Sequence, residues 1–203
     1  MYKTGQSKSI RSVFAPHGSS NHSEPEREKH DYYATDPKCV EDLFDREDFS
    51  GNIWECACGE GHLSKRMLDL GSFYGINVYS SDIIDRGYGD VIDFLSIDVQ
   101  EWIGDIITNP PYKYAQDFVE KSLKIIPEGN KVAMFLKLTF LEGQKRKSLF
   151  KTNPPKTVYV YSKRQECAKN GKFVGSSAVA YCWYVWIKGY KGENDRDWET
   201  YQQ

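Results

Sequence analysis

The sequence predicts an open α/β sheet of about seven strands, mostly parallel, with the last strand antiparallel and helices on both faces. Three observations carry this expectation. From Asp31 onward, short apolar runs alternate with stretches whose apolar residues recur at helical spacing, the pattern of a parallel sheet with crossover helices. The unusual local sequences fall just after the strand-like runs, where open α/β sheets bind ligands. The last two strand-like runs are joined by residues 162–177, which show no helical pattern, so no crossover returns the final strand parallel.

The elements follow in order. Thr35-Asp36-Pro37 reads as a helix start, a capping side chain followed by proline in the first turn. Val40, Leu43 and Phe44 then give one apolar face. Residues 52–56 form a strand entering the turn Cys58-Gly59-Glu60-Gly61, and HLSKRMLDLG continues as a helix ending at Gly71. Residues 76–81 are a second strand ending at Asp82, and residues 90–95 a short third. Residues 103–108 run into Asn109-Pro110-Pro111-Tyr112, where two prolines turn the chain out of the sheet. Residues 114–126 and 141–150 read as helices. Residues 131–136, 157–161 and 178–187 read as strands, the last two β-branched and aromatic-rich. Trp183, Tyr184 and Trp186 are expected to pack on the sheet.

The chain has 203 residues, enough to bury a core without disulfides or metals. Residues 1–30 are polar and read as a flexible arm, residues 31–190 as the folded domain, and residues 191–203 as a tail. Five cysteines without framework spacing suggest a reducing, cytoplasmic setting. Cys56-Ala57-Cys58 lacks a second pair at ligand spacing, so no metal is expected. The longest apolar run is too short for a membrane span.

The net charge is −2, yet its distribution is uneven. Residues 21–112 carry 7 basic and 20 acidic side chains, whereas residues 113–172 carry 14 basic and 5 acidic ones. The basic half is either a footprint for a polyanion or a set of solvated helix faces.

Two strand ends carry the candidate chemistry. Gly59 and Gly61 allow positive φ and close ligand approach, and the helix they open favours a carboxylate at its N-terminus. Glu55 is a candidate partner for an ammonium, and Asp82 is placed for ribose hydroxyls. The third glycine of a dinucleotide fingerprint is missing, so a smaller nucleoside cofactor fits better; a plain tight turn is the alternative. Asn109-Pro110-Pro111-Tyr112 is either a rigid surface turn or a corner for an aromatic amine. Such an amine is a poor nucleophile, because its lone pair is delocalised into the ring. The Asn109 side-chain oxygen and the Pro110 carbonyl can accept its two N–H bonds and draw the nitrogen toward a tetrahedral, reactive form. Tyr112 can stack on the ring.

At these residues the sequence resembles the Rossmann-like class I S-adenosylmethionine-dependent methyltransferases. Within them it is similar to the N6-adenine DNA methyltransferases of the γ arrangement, in which the cofactor motifs precede NPPY. The likeness runs from about Asp31 to Ile187. NPPY (Asn109, Pro110, Pro111, Tyr112) matches that family's catalytic tetrapeptide. IWECACGEG matches its cofactor loop, with glutamate at Glu55 where the family more often has aspartate. DYYATDP resembles the segment that contacts the methionine part of the cofactor. Short bacteriophage-encoded members look similar, including KLTFLEG and SSAVAY. The resemblance implies S-adenosyl-L-methionine as cofactor and DNA as partner, in a bacterial or phage-infected cell. It implies cofactor contacts from Tyr33, Thr35, Pro37, Glu55, Cys56, Ala57, Gly59, Gly61, Asp82 and Asn109. It adds Asp93 at the adenine amino group and Phe94 on its ring. It also implies a base-stacking aromatic before the last strand, here Phe173, with Lys169 and Lys172 beside it for phosphates. The family's sequence-reading domain usually follows the last strand, and about 16 residues remain there. Target choice is then expected from short loops, the arm or a partner. The same chemistry serves RNA bases, cytosine N4 and protein glutamine, and a non-catalytic nucleic-acid-binding protein on the same fold is a further alternative.

Overall fold

The structure, a computed structural model, describes residues 34–72, 75–162, 167–168 and 179–192. In chain order the elements are β1 (Ala34–Thr35), α1 (Lys38–Phe44), β2 (Asn52–Glu55), α2 (His62–Gly71), β3 (Asn77–Asp82), β4 (Asp90–Val91) and β5 (Asp105–Thr108). They continue with α3 (Ala115–Ile125), β6 (Lys131–Lys137), α4 (Lys147–Thr152), β7 (Thr157–Val160), β8 (Cys167–Ala168) and β9 (Tyr181–Ile187).

Seven strands form one sheet in the order β4-β3-β2-β5-β6-β9-β7. β4, β3, β2, β5 and β6 are mutually parallel, while β9 runs antiparallel to both neighbours. The expected single reversed strand is therefore β9. Chain order reverses between β2 and β5, since β3 and β4 lie to one side and β6, β9 and β7 to the other. In open α/β sheets ligands bind outside the strands' carboxyl ends at such a switch point.

Side chains alternate between the two faces, as strand geometry requires. Ile53, Ile107, Ala133, Phe135, Trp183 and Val185 pack beneath Cys39, Val40 and Leu43 of α1 and Leu63 and Met67 of α2. Trp54, Ile106, Val132, Met134, Tyr184 and Trp186 face Phe118, Val119 and Leu123 of α3 and Leu149 and Phe150 of α4. The aromatic residues of β9 are thus shared between two cores, with Trp183, Tyr184 and Trp186 all fully buried. At the amino edge, Asp105 is a buried acid with a structural task. It accepts from the Lys131 amide at 2.7 Å and from Asn130 Nδ2 at 3.0 Å, joining β5 to the start of β6.

The N-cap residue of α1 is Pro37, and the Asp36 carboxylate before it accepts from the Lys38 amide at 2.9 Å. The stretch 141–150 departs from the single helix expected there. It folds as 3₁₀ turns at Leu138–Leu141 and Gln144–Arg146, followed by α4. Gly143, at φ 105°, breaks the helical path between them, and Arg146 reaches back to clasp the first turn. Its guanidinium donates to the carbonyls of Phe140 at 2.7 Å, Thr139 at 3.3 Å and Glu142, and lies 4.8 Å from the Phe140 ring centroid. Arg146 of the basic run is accordingly a loop clasp, while Lys145 and Lys147 are exposed.

Two elements have no precedent in the sequence pattern. β1 and β8 pair antiparallel, Ala34 opposite Ala168 and Thr35 opposite Cys167. This ladder carries the segment before α1 across to the link between β7 and β9. Among the described residues, no helix is long and apolar enough to cross a membrane.

Candidate active site at the carboxyl edge of the sheet

The two candidate corners lie on adjacent strands. β2 and β5 are parallel neighbours with Trp54 opposite Ile106. The turn after β2 and the Asn109 corner after β5 therefore leave the sheet side by side.

The glycine turn is built from both its ends. Gly59 and Gly61 adopt φ 56° and 78°, conformations that cost other residues energy. The Gly59 amide donates to Asp82 Oδ2 at 2.9 Å, and the Cys58 amide donates to the Ser81 carbonyl at 2.9 Å, tying the turn to the end of β3. A Cβ on Gly61 would lie 2.3 Å from the Tyr88 ring, so that ring packs directly against the turn. Gly61 caps α2 without a side-chain hydrogen bond, and no acidic residue sits in the first turn. The cysteines fill space: burial pushes the Cys58 thiol up to about 12 and the Cys56 thiol well above its usual range. Ala57 packs partly buried against the core.

Asp82 is 8% exposed. Its Oδ1 accepts from the Ile84 amide at 2.9 Å and from Arg86 Nη1 at 3.2 Å, while Oδ2 accepts from Gly59. A carboxylate oxygen has two acceptor positions, so Oδ2 retains one for a hydroxyl. Sequence reasoning passed over Arg86 and Tyr88, because the polar stretch 85–90 reads as an ordinary loop.

Glu55 is 1% exposed and lies beneath the turn. Its carboxylate accepts from the Ser64 hydroxyl of α2, which in turn pairs with Ser80 at 2.7 Å. Burial pushes the Glu55 carboxyl up from 4.5 to about 8, and the charge of Asp82 adds to the rise against the lowering effect of Ser64. The folded chain therefore holds a proton that the unfolded chain has released between about pH 4.5 and 8. Stability falls as pH rises through that window. Glu55→Gln is expected to remove this slope, leaving the variant more stable than the parent at the alkaline end by a few kcal/mol. Chemical denaturation across the window measures it, and parallel curves for the two proteins contradict the assignment.

Asn109 is held from the N-terminal side. Its Nδ2 donates to Thr35 Oγ1 at 2.7 Å, and Thr35 is itself buried. The β1–β8 ladder is what brings Thr35 there. Thr35 thus meets the Asn109 corner, while Pro37 is the N-cap residue of α1. Pro110 is buried and Pro111 half-buried. A 3₁₀ turn over Tyr112–Tyr114 follows, closed by the Tyr114 amide on the Pro111 carbonyl at 2.9 Å. The Tyr112 ring lies 5.9 Å from that of Tyr181, tilted by 34°, with Lys137 Nζ 4.7 Å from its centroid.

Asp93 and Phe94 differ in exposure. Asp93 is exposed and accepts from the Leu95 amide at 3.0 Å and from the Ser96 hydroxyl, capping a turn. These bonds hold its carboxyl below the usual range. Phe94 is a core residue, edge-on to Trp54 at 5.2 Å and against Phe118 at 5.0 Å. The exposed apolar side chain beside Asp82 is instead Ile83. Tyr33, Lys169, Lys172 and Phe173 lie outside the described residues.

No protein-family model matches the chain, and no curated protein does. Solved structures do match. A modification subunit of a candidate type I restriction enzyme from Vibrio vulnificus YJ016 superposes with a TM-score of 0.55 at 11% identity, covering 77% of this chain and 44% of that one. The 23S rRNA methyltransferase ErmE superposes with a TM-score of 0.52 at 15% identity, covering 77% of this chain and 70% of that one. The chain has a methyltransferase fold. A candidate hemolysin from Streptococcus thermophilus also superposes, with a TM-score of 0.52 at 11% identity, covering 75% of this chain and 66% of that one. At such identities the likeness fixes the architecture alone, and chemistry on the methyltransferase fold has to be argued from side chains. The chain spans less than half the Vibrio subunit.

Proposed function

We propose that the chain is an S-adenosyl-L-methionine-dependent methyltransferase acting on an exocyclic amino nitrogen, N6 of adenine in DNA. The observation that carries this is the placement of Asn109 next to the glycine turn, on adjacent parallel strands at one sheet edge.

The turn fits the cofactor. Gly61 opens α2 with no side-chain cap, and a helix N-terminus of this kind suits the methionine carboxylate. Asp82 Oδ2 keeps an acceptor position for a ribose hydroxyl, and Ile83 offers an apolar surface beside it. Gly59, Gly61 and Asp82 would hold the group, with Thr35 and Asn109 bordering its reactive end. Bound there, S-adenosyl-L-methionine supplies an electrophilic methyl group.

The chain's own residues prepare the nucleophile. With Nδ2 engaged by Thr35, Oδ1 is the acceptor end of the Asn109 amide. Oδ1 and the Pro110 carbonyl take the two N–H bonds of the amine and orient its lone pair. Tyr112 supports the ring from the following turn. An adenine in DNA reaches this corner after leaving the base stack, and the basic half of the chain supports a polyanion as the source of that base.

Incubation with radiolabelled cofactor and a mixture of DNA, RNA and protein tests the reading. Digestion to nucleosides and amino acids should yield N6-methyladenine from DNA. Label in an RNA base, in N4 of cytosine or in glutamine keeps the chemistry and changes the substrate. Cofactor binding by calorimetry without transfer to any of these replaces catalysis with a binding role.

A further inference from the structure

We propose that Lys137 is a substrate-binding residue that takes a backbone phosphate beside the target base, making this a site for bases within a nucleic-acid strand rather than for free nucleosides or protein amides. The assignment rests on the nucleic-acid reading of the Asn109 corner and names a side chain that the catalytic tetrapeptide does not include.

Lys137 is the last residue of β6, at the same sheet edge as Asn109. Its backbone is fixed from three sides. It pairs with Tyr181 across β9. The Tyr184 hydroxyl donates to the carbonyls of Lys137 and Leu138 at 3.3 and 3.1 Å. The turn that follows is clasped by Arg146. The stem of the side chain therefore starts from a rigid point, as a binding residue needs.

Its ammonium group differs from those of the other half-buried lysines, Lys121, Lys131 and Lys188. Lys121 donates to the Leu95 and Ile97 carbonyls, Lys131 pairs with Glu47 at 2.7 Å, and Lys188 donates to the Lys124 and Ile126 carbonyls. Among the described residues, the contact of the Lys137 ammonium is the Tyr112 ring, at 4.7 Å. A ring face is a weak partner for a cation, and a phosphate oxygen is a stronger one. A base stacking on Tyr112 would exchange places with the ammonium and bring its own phosphate within reach.

Charge along this sheet edge has the same sense. Asp82 and Asp93 lie at the β3 and β4 ends, on the cofactor side of the switch point. Lys113 and Lys137 lie at the β5 and β6 ends, on the other side. A nucleoside cofactor and a polyanionic strand thus meet opposite halves of one edge.

The test uses the full chain with saturating S-adenosylhomocysteine and a fluorescent, adenine-containing single-stranded DNA oligonucleotide, titrated at several salt concentrations. Lys137→Ala is expected to bind roughly tenfold more weakly at low salt, with a salt slope reduced by about 0.7, the value of one phosphate contact on a single strand. Lys137→Arg should keep both. Thermal melts of both variants and of Lys137→Gln control for folding. Unchanged affinity and slope in Lys137→Ala overturn the proposal. So does an equal loss in Lys137→Arg with an unchanged slope, which marks a packing role. Wild-type chain that binds S-adenosylhomocysteine but no oligonucleotide overturns the nucleic-acid reading and Lys137 with it. Oligonucleotide binding with the predicted slope, together with no methyl transfer when S-adenosyl-L-methionine replaces S-adenosylhomocysteine, supports Lys137 and overturns only the catalytic reading.

Discussion

Asn109→Ala is expected to bind the cofactor within about threefold of the parent while transfer falls by about 10²- to 10³-fold, the usual effect of deleting one polar group that acts on the reacting atoms. The reasoning is geometric. Asn109 stands at the end of β5, outside the glycine turn, so its loss leaves the amides of α2 and the carboxylate of Asp82 as they were. It does orphan the Thr35 hydroxyl, which costs stability by about 1 kcal/mol. Asn109→Asp separates the two effects. The carboxylate keeps an acceptor for the amine, and the Thr35 hydroxyl can turn to donate to it. Transfer by the Asp variant should therefore lie between that of Ala and the parent. Equal transfer by Asn109→Ala and the parent, with labelled cofactor, contradicts the role.

Gly61→Ala is expected to lose stability by about 2–4 kcal/mol and to weaken cofactor binding at least tenfold. Two costs combine. A φ of 78° places alanine in the left-handed region, worth about 1–2 kcal/mol. The added Cβ would also lie 2.3–2.6 Å from the Tyr88 ring, which must move away from the turn. Gly129→Ala isolates the first cost, since Gly129 has φ 85° and open space around its Cβ position. Denaturant titration of both variants should show the larger loss in Gly61→Ala. Equal losses mean that the Tyr88 contact adds nothing.

Much of the fold was legible because its strands announce themselves chemically. Residues 52–55, 105–108, 131–137 and 181–187 are almost wholly buried, so they read as apolar runs bounded by turn residues. The reversal of β9 followed from a link whose sequence carries no helical pattern. The helix boundary at 141–150 was misread because its apolar spacing is helical, whereas Gly143 and the reach of Arg146 decide the backbone. The β1–β8 ladder was invisible, since two residues on each strand carry no periodicity.

The candidate site was legible in its motifs and illegible in its support. Asn109, Gly59, Gly61 and Asp82 stand out by residue type and position after strands. The Thr35 contact to Asn109 spans 74 positions of sequence, and no local pattern encodes it. Glu55 read as an open ligand for an ammonium, yet α2 packs over it and Ser64 takes its carboxylate. Phe94 read as a ring for the cofactor adenine, yet Trp54 and Phe118 enclose it. In both cases the side chain's type was informative and its direction was set by packing.

The most direct measurement is a crystal structure of the full chain grown with S-adenosylhomocysteine. The account predicts the ligand's carboxylate at the start of α2, its ribose on Asp82 and its sulfur facing Asn109. Ligand bound away from the Gly59–Gly61 turn, or with its sulfur turned from Asn109, contradicts it.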